Sequence, residues 1–494
     1  MTKLHHNIIA NLVGQVWTAL LGVLFMPVYL RVMGGEAYGL VGVYISLQAL
    51  WYTLDAGMAT TLNRELARHD PVEMSAQSAR DTVRTLECLF LPLCVLTLMA
   101  APLIGHLIST YWLKPVNMSQ SEVSYAISIL ALAIALQWPS SFYAGGLAGL
   151  ERQISQNIIQ IVFSSLRWIV VIPLLIFTDS SIETFAWWQV LIAALQTLAA
   201  RAIFFYKLPI PVRHARFQRD IAFSIRHFAL GILGIACVSF VLAQTDRIVL
   251  ARILPLDAFG HYFLVATAAG ALSRVFTPFF SALYPRYSRL VAQGNIEDLI
   301  GLYHRSNRVL AVSVSALAAI MVLYAEGILK LWTGDGFFAA SNAQVFVLLV
   351  IGSALNGIMN LPYAIQLAYG CTRLSLLLNV FSIIWLVPMI WYLADRYGAL
   401  GAACAWPLLN LTYVSLGIFL MHRKILKGEM MKWYVADIIL PSIFSVVVVC
   451  SIGMIFPLLA QLVGDPVALP AIIFVSLLSV GGLYFLWLKW STNS

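Results

Sequence analysis

The residues "RVMGGEAYG" at 31–39 and "RILPLDAFG" at 252–260 stand 221 positions apart and align without a gap. Arg31 falls on Arg252, Glu36 on Asp257, Tyr38 on Phe259 and Gly39 on Gly260. The same offset sets Arg68 on Arg289, Arg84 on Arg305, Gly149 on Gly370 and Arg152 on Arg373. One offset that recurs along half the chain predicts two copies of one unit.

Composition says what that unit is made of. Of 494 residues, 61% are hydrophobic and only 11% are charged, which is far too oily for a water-facing surface. About 20 apolar residues span a bilayer core as a helix. Such runs lie at 8–30, 39–60, 86–109, 123–148, 157–178, 184–206, 228–251, 262–283, 309–330, 341–365, 374–394, 397–421, 433–459 and 467–489. The expected fold is therefore an all-α polytopic membrane protein with fourteen transmembrane helices. Spans 1–6 and 7–12 form the two copies. Six spans per copy is an even number, so the copies run parallel, related by an axis along the membrane normal. The expected domains are an N-terminal lobe (1–206), a linker (207–227), a C-terminal lobe (228–421) and two appended helices (433–489).

The basic residues test this segmentation. With the N-terminus placed in the cytoplasm, 21 of the 30 Lys and Arg fall in cytoplasmic loops and tails. Arg31, Lys114, Arg252, Lys330 and Arg396 fall on the other side, and Arg167, Arg201, Arg247 and Arg274 within spans. That asymmetry is the positive-inside pattern, and it predicts both termini in the cytoplasm. The net charge of +8 is spread over short loops, so no nucleic-acid partner is expected. The six cysteines form no C-x-x-C pattern and read as small packing residues. The apolar run after "MTKLHH" is too long for a cleaved signal and lacks a small-residue cleavage site.

The repeat also sorts the charges. Arg31, Glu36, Arg252 and Asp257 occur in both copies and read as helix-end charges in short loops. Asp246 and Arg247 have no twins, because Phe25 and Met26 stand at the matching positions. They read either as a self-paired rim or as a pair that works in gating or coupling.

Polar residues gather on helical faces, at steps of three and four. Span 1 carries Asn7, Asn11, Gln15 and Thr18; span 2 carries Tyr44, Gln48, Tyr52 and Asp55. Span 5 carries Asn157, Gln160, Ser164 and Arg167, and span 8 carries Thr267, Gly270, Arg274, Thr277 and Ser281. Such faces need helices or a wet cavity opposite them. The "GGLAG" at 145–149 reads as plain helix packing. Arg167 lies about 15 Å into its span and Arg274 about 18 Å, near the midplane. An unpaired guanidinium there costs at least ~3 kcal/mol. An internal ion pair is the plain alternative for each. A guanidinium fork also suits phosphate oxygens, and the surrounding amides and hydroxyls suit sugars.

The opening "NIIANLVGQVWTALLGVLFMPVYLRVMGGEAYGLVGVY", the phrase "TDRIVLARILPLDAFGHY", "LYPRYSRL" and "YGALGAACAW" resemble the Wzx-type polysaccharide and O-antigen repeat-unit flippases. These belong to the multidrug/oligosaccharidyl-lipid/polysaccharide (MOP) superfamily, and the likeness runs through spans 1–12. The resemblance implies two lobes like those of multidrug extruders of the MATE type, and alternating access across the bacterial inner membrane. The cargo would be undecaprenyl-diphosphate-linked oligosaccharide for O-antigen, capsule or exopolysaccharide, carried through a cationic cavity lined by helices 1, 2, 7 and 8. The candidate cavity residues are Arg274, Arg167, Asn11, Gln15, Gln48 and Tyr52. Asp55, Asp246, Arg247 and Glu326 are candidates for gating or ion coupling. No metal and no cofactor is expected beyond a coupling ion, proton or sodium. A polysaccharide polymerase and a chain-length regulator are candidate partners.

Two other readings compete. A MATE-type multidrug/ion antiporter would be expected to carry midplane carboxylates, whereas this chain carries arginines. A membrane glycosyltransferase or repeat-unit polymerase would need a sizeable outer loop with acid/base carboxylates or a metal site. The loops here are short, and no H-E-x-x-H, phosphate loop or nucleophile motif occurs, so no enzyme is expected.

Overall fold

The computed structural model describes residues 13–18, 20–67, 76–208, 213–457, 461 and 465–493. Every regular element among them is helical. The chain divides into two compact units, Met1–Phe263 and Leu264–Ser494.

The first unit holds α1 (Val13–Met33), α2 (Gly35–Ala67), α3 (Ala76–Tyr111), α4 (Gln120–Gly149), α5 (Gln153–Phe177), α6 (Ile182–Lys207) and α7 (Arg219–Ile253). Two of these helices start on side-chain caps. Ser119 and Glu122 form a reciprocal capping box on α4, and Ser181 caps α6. α4 is the most enclosed of the apolar helices, and its Trp138, Phe142, Tyr143 and Leu147 pack with Leu62, Phe90 and Phe204 in the core.

The "GGLAG" reading holds. A Cβ on Gly145 would lie 2.5 Å from the Ala59 carbonyl oxygen, and one on Gly149 would lie 2.7 Å from that of Asn63. Two glycines one helical turn apart thus let the backbones of α4 and α2 approach closely. Gly149→Val is expected to cost about 1–3 kcal/mol by overpacking, read as a fall in the melting temperature of the detergent-purified protein.

The repeated loops turn out to meet. A Cβ on Gly39 would fall 2.4 Å from the Leu256 carbonyl oxygen, and one on Gly260 would fall 2.7 Å from that of Gly35 and 3.0 Å from the Gly39 nitrogen. Glycine occupies both twin positions because the two segments cross there.

Arg31 and Arg252 lie in the last turns of their helices, and Glu36 and Asp257 in first turns, as helix-end charges should. Glu36 does more. Its carboxylate accepts the backbone N–H groups of Val116, Asn117 and Met118, each at 2.9 Å. Burial pushes this carboxyl up, but the three N–H donors outweigh that and hold it below the usual range. A lowered folded-state value means the contribution is full above the ordinary carboxylate range and is lost as pH falls through Glu36's own value. Glu36→Ala should cost about 2–3 kcal/mol near neutrality, and the gap from the native protein should shrink in acid, as melting curves across pH would read.

The second unit holds α8, made of Leu256–Gly270 and Ser273–Gln293 with a 44° bend, then α9 (Ile296–Leu323), a short helix Ala325–Thr333 and α10 (Gly336–Ala368). The first turns of α8 belong to the first unit. Then come α11 (372–397), α12 (399–424), α13 (Met430–Gly453) and α14 (Asp465–Asn493). Spans 11 and 12, expected as separate segments, are two helices that meet at Gly398, whose φ of 58° and ψ of −138° are not helical. Helices α13 and α14 pack on α9 through Val449, Leu469, Ile472, Val312 and Ile320.

Nine helices among the described residues are long and apolar enough to cross a membrane, or ten with the bent pair taken as one. Large apolar side chains such as Leu96, Met99, Phe177 and Phe337 stand exposed on these helices and their ends. The protein is a multi-pass membrane protein, with lipid as the solvent for that surface. The six cysteines are free thiols.

Candidate functional site

The first unit encloses a cavity of about 380 Å³ between α1, α2, α4, α5 and α6. Its wall is polar and nearly uncharged. Gln48, Gln137, Gln156, Gln160 and Gln196 line it, with Ser and Thr hydroxyls, Tyr52 and Trp168. No carboxylate lines it among the described residues, and Arg167 is its single formal charge.

Arg167 is 4% exposed, in the last turn of the first piece of α5, where the helix dipole favours a cation. It has no ion pair among the described residues, so the internal salt bridge is absent there. Instead, three of its five N–H donors go to neutral oxygens. Nη1 donates to the Gln137 Oε1 and, at 3.2 Å, to the Tyr44 hydroxyl, while Nη2 donates to the Gln196 Oε1 at 2.8 Å. Gln137 also accepts from the Gln48 Nε2 at 2.6 Å and donates to the Tyr52 hydroxyl at 2.8 Å. Thr18 of α1 accepts from the Gln160 Nε2 at 3.3 Å.

Gln48, Tyr52 and Arg167 are therefore gathered in one cavity. Gln15 stands exposed on α1 and does not line it. Asn11 lies outside the described residues. Gln137 and Gln196 were not on any of the polar faces read from the sequence. Their signal was an amide in an apolar run, "ALQWP" and "ALQTL"; for Gln137 the hydroxyls of Ser140 and Ser141, one turn on, also face the cavity.

Arg274 stands elsewhere and differently. It is exposed, in the first turn of the second piece of α8, just past the bend. Its side chain has no hydrogen bond or ion pair among the described residues. Gly270, Thr277 and Ser281, one turn or two away on the same face, are exposed as well. A polar face this open needs water opposite it, since lipid cannot satisfy it. The positive end of the helix dipole adds to the guanidinium charge, so the place favours an anion.

The carboxylate candidates are scattered. Asp55 is buried in α2 and takes the Ser141 hydroxyl on Oδ2. Asp246 and Arg247 are not a self-paired rim. Asp246 accepts the Tyr262 hydroxyl at 2.7 Å, while Arg247 lies over the Phe263 ring at 5.0 Å and donates to Gln244. Adjacent residues on a helix point about 100° apart, which sends the two to different neighbours. Glu326 is exposed in the first turn of the short helix Ala325–Thr333.

Two further clusters were not read from the sequence. In the second unit a smaller cavity of about 220 Å³ is lined by Asn356, Asn360, Gln366 and Asn379 with Tyr363 and Tyr413. His304 of α9 is buried between the Asp437 and Glu429 carboxylates, with Arg308 at 3.4 Å from Asp437.

The first unit thus holds a polar cavity among helices apolar enough to cross a membrane. Residues 4–291 match the family of polysaccharide biosynthesis proteins, and the chain belongs to that family. A Shigella flexneri protein named "Putative O-antigen transporter" is 23% identical over 416 residues, 81% of this chain and 93% of that one. Among solved structures, the lipid II flippase MurJ in an inward closed conformation overlays with a TM-score of 0.72 at 9% identity, covering 98% of this chain and 99% of that one. An inward-facing multidrug resistance MATE transporter of the MOP superfamily overlays with a TM-score of 0.67 at 17% identity, covering 83% and 96%. The chain thus shares the fold of these two transporters.

Proposed function

We propose that this chain is a flippase, not an enzyme. It moves undecaprenyl-diphosphate-linked oligosaccharide repeat units across the bacterial inner membrane by alternating access, for surface polysaccharide assembly. The observation that carries the reading is Arg274, an exposed guanidinium without a partner among the described residues, at a helix start on an open polar face. A diphosphate offers paired oxygens that the planar guanidinium fork can take bidentately. Membership of the polysaccharide biosynthesis family and similarity to a protein named as an O-antigen transporter support it. The absence of carboxylates among the described lining of the first unit's cavity speaks against a carrier of cationic drugs.

The deciding experiment supplies the gene to a bacterium that lacks its own repeat-unit flippase. Restored surface polysaccharide, with lipid-linked repeat units no longer accumulating inside, is the expected result. Continued accumulation alongside export of cationic dyes would replace the reading with that of a drug antiporter.

Both termini belong in the cytoplasm on this reading. Asp55, Asp246 and Glu326 are the carboxylates through which a proton or sodium gradient would act. Transport in vesicles that is unchanged when both gradients are collapsed would remove that role.

A further inference from the structure

We infer that the cavity of the first unit is a subsite for an uncharged sugar ring, and that Arg167 is a positioning residue there and not a phosphate contact. The inference rests on the flippase reading and assigns one part of the cargo to one place.

A guanidinium can only donate. Because Arg167 points its donors at the side-chain oxygens of Gln137 and Gln196, each amide must turn its NH₂ group the other way. For Gln137 that NH₂ donates to the Tyr52 hydroxyl. For Gln196, which lines the cavity, the NH₂ has no partner among the described residues and is a fixed donor. Gln160 is set in the opposite sense: its Nε2 goes to Thr18, which leaves its oxygen as a fixed acceptor. A donor and an acceptor held on one polar wall match neighbouring hydroxyls, or a hydroxyl and an acetamido group, on a sugar ring.

The charge balance points the same way. Arg167 is buried, and an anion seated on it would have to compete with three neutral oxygens already in place. Without a carboxylate in the lining, the cavity gains nothing from a cationic cargo either. Its 380 Å³ lies in the range of small-ligand pockets. The amide oxygens need a planar fork with several donors, which arginine has and lysine lacks.

The test uses the full-length protein in detergent and two probes that separate the parts of the cargo. Methyl N-acetylglucosaminide carries a sugar without charge, and geranyl diphosphate carries the charge without a sugar. The native protein is expected to bind both. Arg167→Lys and Gln196→Leu should weaken the glycoside about tenfold or more and leave geranyl diphosphate within about twofold. Arg274→Ala should do the reverse. The inference is overturned if Arg167→Lys weakens geranyl diphosphate as much as Arg274→Ala does, or if the native protein binds no glycoside. Neither result touches the flippase reading, which stands or falls on export by the native protein. Gln196→Asn, which keeps the amide but shortens its reach, should recover part of the glycoside binding that Gln196→Leu loses. No recovery would also count against a subsite built on an aimed amide.

Discussion

Arg274→Ala is expected to abolish export while the protein remains inserted and folded. This is the expected result if Arg274 holds the diphosphate, because its side chain makes no hydrogen bond or ion pair among the described residues that its loss would break. The stability cost should stay within about ±0.5 kcal/mol, as for other surface positions. The transport cost should be large, since losing a charge-assisted bidentate contact removes about 2–4 kcal/mol, a factor of roughly 30–1,000. Surface polysaccharide at normal levels in that variant would remove Arg274 from the site. Arg274→Lys separates charge from geometry. It should keep part of the activity if a point charge suffices, and little of it if the planar fork is required.

The second large effect concerns stability alone. Asp437→Ala is expected to cost about 3–5 kcal/mol, because it leaves a buried histidine and Arg308 without their shared carboxylate. His304 faces carboxylates from both ring nitrogens, Asp437 through Nδ1 and Glu429 through Nε2 at 2.9 Å. The cluster joins α9 to α13, where Asp437 lies in the π-helical stretch Trp433–Ile439. Replacing His304 and Asp437 together by leucine should cost less than Asp437→Ala alone, since no buried histidine is then left unmatched. Melting curves for the two singles and the double would read this. A double variant that loses as much as the two singles summed would mean the groups act independently.

The membrane class and the all-helical fold were legible because each rests on many residues at once. Composition and apolar run length are sums over the chain, and single exceptions do not disturb them. The site was legible only in part. Arg167 announced itself as a charge in oil, and its neighbours Gln48 and Tyr52 lay on a polar stripe. What Arg167 binds was not legible, since Gln137 and Gln196 come from other helices and nothing local ties them to it. The pairing of Asp246 with Arg247 failed for the converse reason: neighbours in sequence diverge around a helix. The cluster around His304 joins residues more than 120 positions apart, which no periodicity reports.

The close crossing at Gly39 and Gly260 carries a meaning beyond packing. Each of these residues is the other's counterpart, so the contact sets a position against its own copy. Such self-matching is the mark of a two-fold axis between identical subunits, where a residue on the axis meets itself. Here the match lies within one chain: each glycine makes room for the segment that answers to its own, so a larger side chain at either position would press on both partners of the crossing at once.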